Sequence, residues 1–198
     1  MTDAQSRTSA APALGLDEFL DALEAPAPSP CGGSAAAVAA AMAASLVTMV
    51  ARSSPGWADA PGIATQARAL RSRLTRLGDE DAAAFGEVLA VLREPAGSRE
   101  QRDFALGVAL LHAAEVPLRI AEAAADVAEL AALASVEGST QLRADATAAA
   151  ALAEAATRSA AHLVDINLVT VRGDRHSEQA AALAGAAATA RARALGTL

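Results

Sequence analysis

Asp81 is the residue whose setting most demands a chemical explanation. Leu77, Phe85, Val88 and Leu92 recur around it at helical spacing, and Asp81 is four residues from both Leu77 and Phe85. It therefore lies on or beside their apolar face. A carboxylate there is costly unless it is paired, for instance with an arginine of another helix, or used. In use it can stabilise a developing cation or shuttle a proton. Asp79 and Glu80 fall on a solvated face instead. The second candidate is the segment Pro28-Ser29-Pro30-Cys31-Gly32-Gly33-Ser34, which opens a long alanine-rich stretch. Adjacent glycines let the backbone approach a ligand or another helix closely. Ser34 is placed to cap the helix that follows, and that helix start offers N–H groups and a positive dipole end to an anion. A tight turn needed only for packing would use the same residues. Cys31 could gain thiolate character from the helix end, although no histidine partner for a nucleophilic role is evident.

Asn167 sits in the run Leu163 to Val169, which is apolar apart from Asp165. A buried amide needs partners, and its donors and acceptor suit recognition of a heterocycle. Glu115 precedes Pro117, where a helix loses a backbone donor and leaves a carbonyl free. His112, His162 and His176 share no metal-ligand spacing, so no zinc site is expected.

These groups need helices to position them. Of 198 residues 59 are alanine, aromatic residues reach only 2% and tyrosine is absent. Alanine loses no side-chain entropy in a helix, whereas strands favour the β-branched and aromatic residues that are scarce here. Small side chains also bury little area each, at roughly 25 cal/mol per Å². Long helices packed over large areas, some between subunits, recover that loss, so a homo-oligomer is expected. The formal charge is −7, with no basic face for nucleic acid. All sixteen basic residues are arginine, which excludes Schiff-base and lysine general-base chemistry. One cysteine excludes an intrachain disulfide. Ala35 to Ala51 is uncharged and long enough to span a membrane, but its alanine content, Ser45 and Thr48 favour a buried central helix. With no leader pattern, a cytoplasmic location is expected.

Residues 1–13 read as a flexible tail, and 14–198 as a single helical domain. Leu16, Phe19, Leu20 and Leu23 mark a short amphipathic helix. A second helix follows Ser34 and ends near Ser53. A third spans about Ile63 to Arg93, stopped by Pro95 and Gly97. Ser98 and Gln101 form a capping box for a fourth, which passes Pro117 with a kink and ends at Gly138. A fifth spans about Asp145 to Val171, and Asp174 caps a sixth. The expected fold class is all-α, a bundle of about six helices.

Four segments, taken in order, resemble the cyclodeaminase/cyclohydrolase family of folate one-carbon enzymes. They are the N-terminal block from Leu16 through Gly32-Gly33-Ser34 to Arg52, the stretch Asp81 to Pro95, the element Ala113 to Glu122 containing Glu115-Val116-Pro117, and Gly138 to Ala150 with Asp165 to Leu168. The resemblance implies an all-α dimer acting on the one-carbon bridge of tetrahydrofolate. Family members hydrolyse the methenyl bridge to 10-formyltetrahydrofolate or close 5-formiminotetrahydrofolate with loss of ammonia. Asp81 and Asp145 fall on family-like positions as the catalytic carboxylates. Gly32, Gly33, Ser34, Phe85, Glu115 and Asn167 are the implied substrate-binding residues, with Asn167 reading the pterin edge and an arginine holding the glutamate tail. No metal and no cofactor are implied, because the folate is itself the substrate. Cys31 stands where the family commonly has a third glycine, Ser139 where an asparagine is usual, Leu163 where an asparagine is expected, and Asp165 at a position often basic. Two other readings stay open: a divergent member acting on another amidine or imine C–N bond, and a helical binding or assembly module without catalysis.

Overall fold

The structure, a computed structural model, describes residues 15–25, 30–93, 97–168 and 175–196. Among these residues there are six helices and no strand: α1 (Leu16–Glu24), α2 (Gly32–Arg52), α3 (Ala60–Arg93), α4 (Arg99–Glu137), α5 (Arg143–Asn167) and α6 (Arg175–Leu195), with a 3₁₀ turn at Thr140–Leu142 before α5. The expected tail, Val171 and the proposed Asp174 cap lie outside the described residues.

The all-α expectation holds, and alanine explains how. The inner face of α2 is Ala36, Ala37, Ala40, Ala43, Ala44, Val47 and Val50, all buried. With only methyl groups between axes, α2 packs against α3, α4 and α5 at once, and α4 in turn carries α3, α5 and α6. The bulkiest fully buried side chains, Leu74, Leu77, Ile120, Val127 and Val164, fill the remaining space. Most hydroxyls inside this apolar packing bond back to the helix that precedes or carries them. Thr157, fully buried, donates to the Ala153 carbonyl at 2.8 Å, so no donor is stranded. Both α2 and α4 are long and apolar enough to cross a membrane by length and composition. Their buried faces line the shared core, which accounts for that hydropathy.

Caps set the ends. Ser98 and Gln101 form the expected reciprocal box, at 3.3 and 2.9 Å. Helix α4 runs unbroken through Pro117 and stops at Gly138. That glycine is required sterically, because a Cβ there would collide with the Ala134 carbonyl and crowd Val50. Helix α5 begins at Arg143, earlier than the Asp145 expected, because the 3₁₀ turn feeds directly into it. Ser139 N–H donates to Ser54 Oγ at 2.8 Å, tying this end of the bundle to the end of α2.

Candidate functional site

The other end of the bundle carries the site, where the start of α2 crosses the middle of α3. Cys31, in extended backbone, is the N-cap. Ser34, expected as the cap, instead lies one turn inside the helix. Its hydroxyl is free to cross to α3, where it donates to the Gly78 carbonyl at 2.8 Å. The helices cross closely at Gly78, where a Cβ would sit in ordinary contact, 3.6 Å from Ala37 and 3.8 Å from the Ser34 backbone. One turn further along α3, the Asp81 carboxylate packs directly on Gly33. Any Cβ on Gly33 would fall among the carboxylate atoms. The glycine pair is thus divided in function, since a Cβ on Gly32 would meet only Leu163, at 3.9 Å.

Asp81 is 6% exposed and, among the described residues, has neither an ion pair nor the arginine partner allowed for by the sequence. Two donors hold the carboxylate. The Cys31 thiol donates to Oδ2 at 3.2 Å, and the Ser34 backbone N–H bonds the same carboxylate. The anion seat at the start of α2 is therefore filled by the protein's own carboxylate. Burial pushes the Asp81 pKa up, and these two bonds partly offset that rise. Cys31 does not acquire thiolate character. Burial first, and then the neighbouring Asp81 charge and its hydrogen bond, push the thiol up to about 11 against the opposing pull of the Gly33 and Ser34 amides. A helix end lowers a thiol's pKa only when its dipole is not outweighed by a nearer anion.

The surrounding helices bring most of the other candidates to this level. Glu80 pairs with Arg119 at 2.6 Å and Glu87 with His112 at 3.0 Å, making α3 and α4 antiparallel neighbours. Glu115 falls between these two ties, level with the half-buried Phe85, but its side chain is exposed. Asn167 does not offer its amide freely. Its Nδ2 donates to the Ala113 carbonyl at 2.6 Å, which is the acceptor left over because Pro117, four residues on, has no N–H. Leu163, against Gly32, brings the end of α5 to the same level. Asp145 is elsewhere. It lies in the first turn of α5, eighteen residues before Leu163, about 27 Å away at 1.5 Å per residue. Within one chain Asp81 and Asp145 cannot act on one atom. A cavity of about 630 Å³ between Arg52, Trp57 and Arg68 lies away from Asp81, at the α2–α3 turn. Among the described residues no three His, Cys, Asp or Glu side chains cluster as metal ligands.

The sequence profile of the family described as formiminotransferase-cyclodeaminase matches residues 15–186. The chain belongs to the formiminotransferase-cyclodeaminase family. A methenyltetrahydrofolate cyclohydrolase from Methylorubrum extorquens is 33% identical over 162 residues, covering 77% of this chain and 78% of that protein. The crystal structure of formiminotetrahydrofolate cyclodeaminase from Thermotoga maritima superposes with a TM-score of 0.82 at 26% identity, covering 93% of this chain and 96% of that one. Both relatives are named as enzymes of folate one-carbon chemistry.

For this formiminotransferase-cyclodeaminase family member, sequence reasoning missed two participants. Gly78 has a legible signal, a glycine inside a strong helix three residues before a buried acid, which marks a close crossing. The Cys31–Asp81 bond has none, because fifty residues separate the partners.

Proposed function

We propose that this chain acts on the one-carbon bridge between N5 and N10 of tetrahydrofolate, as a methenyltetrahydrofolate cyclohydrolase in the first instance. Closure of 5-formiminotetrahydrofolate, with loss of ammonia, is the second reading, favoured by the structural match to a cyclodeaminase. The carrying observation is Asp81: a buried carboxylate with no cation paired to it among the described residues, held by two donors at a helix start. The methenyl bridge is cationic, and such a carboxylate stabilises it electrostatically. Water adds to the bridge carbon and gives a proton to Asp81. The tetrahedral carbon then breaks its bond to N5, which takes that proton back, while the hydroxyl on the carbon loses its own proton to solvent, leaving the formyl group on N10. A carboxylate pKa raised toward the working pH suits both halves of this transfer. The chain's own groups do the work in this scheme, and the folate is substrate rather than cofactor. Gly33 gives the carboxylate room, and the Ser34–Gly78 bond fixes the crossing.

A homodimer in the cytoplasm, binding no nucleic acid, completes the proposal. Phe104, Val108 and Leu111 present an exposed apolar stripe on the first half of α4, with Leu92 exposed on α3, and a patch of that kind favours a second copy. The experiment is the absorbance decay of methenyltetrahydrofolate with the protein. Decay above the buffer rate supports the cyclohydrolase. Formation of methenyltetrahydrofolate from the 5-formimino compound, without that decay, supports the cyclodeaminase. Neither would reject the proposal.

A further inference from the structure

We infer that Cys31 is a positioning residue for the reaction, acting through Asp81 as a fixed hydrogen-bond donor and never as a nucleophile. Cys31 has this role only if Asp81 is the reacting carboxylate, as proposed above. Three observations converge on it. The thiol reaches Oδ2 of Asp81 at 3.2 Å. The carboxylate is packed directly on Gly33 at the start of α2, which holds it beside the thiol. The bond also crosses from the N-cap of α2 to the middle of α3, so it fixes the carboxylate relative to the helix start that also binds it through Ser34.

Serving as a donor requires the sulfur to keep its proton, and the surroundings enforce this. A thiolate here would face a carboxylate in a half-buried place, and the thiol is accordingly pushed up to about 11. The bond in return lowers the Asp81 pKa against the rise from burial. Other charges of the adjoining helices are engaged or exposed. Glu80 is with Arg119 and Glu87 with His112, while Asp79, Glu115, His162 and Asp165 are exposed. Among the described residues, Cys31 is therefore the side chain through which the state of Asp81 is adjusted.

Two measurements test the role. In the pH dependence of kcat/KM on methenyltetrahydrofolate, Cys31→Ala should move the acid limb upward by about one unit, since a bond favouring the ionised carboxylate is gone. Cys31→Ser, which keeps a donor, should bring the limb back to within a few tenths of the wild-type position. A limb unmoved in Cys31→Ala overturns the inference. The second readout needs no turnover and so separates this inference from a failure of the folate reading. Cys31 is the sole cysteine, so iodoacetamide reports on it alone. At pH 8 a thiol near 11 is ionised about 100-fold less than one near 9, and it should alkylate correspondingly slowly. Asp81→Asn removes the opposing charge and should raise that rate about 10-fold. An unchanged rate in a folded Asp81→Asn protein would show that the two groups are not coupled.

Discussion

The two glycines at the start of α2 should respond oppositely to the same substitution. In Gly33→Ala the new methyl falls among the atoms of the Asp81 carboxylate, the end of a side chain that is itself buried. The carboxylate must swing away and give up the Cys31 thiol and the Ser34 N–H. Overpacking of this kind costs about 1–3 kcal/mol, and a hydrogen bond to a charged group is worth about 1.5–3 kcal/mol. Even at the low ends of these ranges, one overpacking and two bonds, the total of about 4 kcal/mol corresponds to a Tm lower by about 8–16 °C for a chain of this size. In Gly32→Ala the methyl meets only the Leu163 side chain, at 3.9 Å, an ordinary contact. Alanine also favours the helix over glycine by up to about 1 kcal/mol. Thermal denaturation and folate turnover on the two variants make the comparison. Gly33→Ala should be destabilised and nearly inactive, while Gly32→Ala stays at or above wild-type stability. Equal behaviour of the two, in either direction, would refute the placement of the carboxylate against Gly33.

Three further outcomes follow from the geometry. Asn167→Ala strands the Ala113 carbonyl that Pro117 leaves open and should cost about 1–2 kcal/mol in urea unfolding; a neutral result would mean that the amide is held for substrate instead. Asp145→Asn should lose at most about 1 kcal/mol, the worth of an acid in a first helical turn, and keep kcat/KM within a few-fold. A loss as large as that of an Asp81 variant would contradict the separation of the two acids. Burial holds the Asp81 pKa above 3.8 in the folded chain, so the folded protein binds that proton more tightly than the unfolded chain does. Asp81 then subtracts stability as pH rises from 3.8 through its folded-state pKa, and over that rise the Tm of Asp81→Asn relative to wild type should increase. A difference that stays flat would show a solvated carboxylate.

Helices and their ends were largely legible because alanine, proline and glycine act locally. The Ser98–Gln101 box and the stop at Gly138 needed only neighbouring residues. Asp81 was legible as a conflict between an acid and an apolar helical face. What resisted was every fact made by contact between distant segments. Ser34 has the chemistry of a cap, but the helix starts earlier and the hydroxyl is drawn to Gly78. Asn167 looks unengaged in sequence and is bound to a carbonyl that a proline on another helix created. Cys31 reads as activated by a helix start, until Asp81 is seen to occupy that start. Asp145 shares an acid's chemistry with Asp81, and only the direction of α5 separates them.

The central claim is that Asp81 supplies the charge that the reaction uses. Asp81→Asn keeps the shape and removes that charge, and it strands no arginine of the described residues, none of which is paired there. Steady-state turnover of methenyltetrahydrofolate by this variant, corrected for the folded fraction, should fall about 100- to 1,000-fold, while the Tm at neutral pH holds or rises because a costly buried charge has gone. A variant that keeps full turnover per folded molecule would contradict the account.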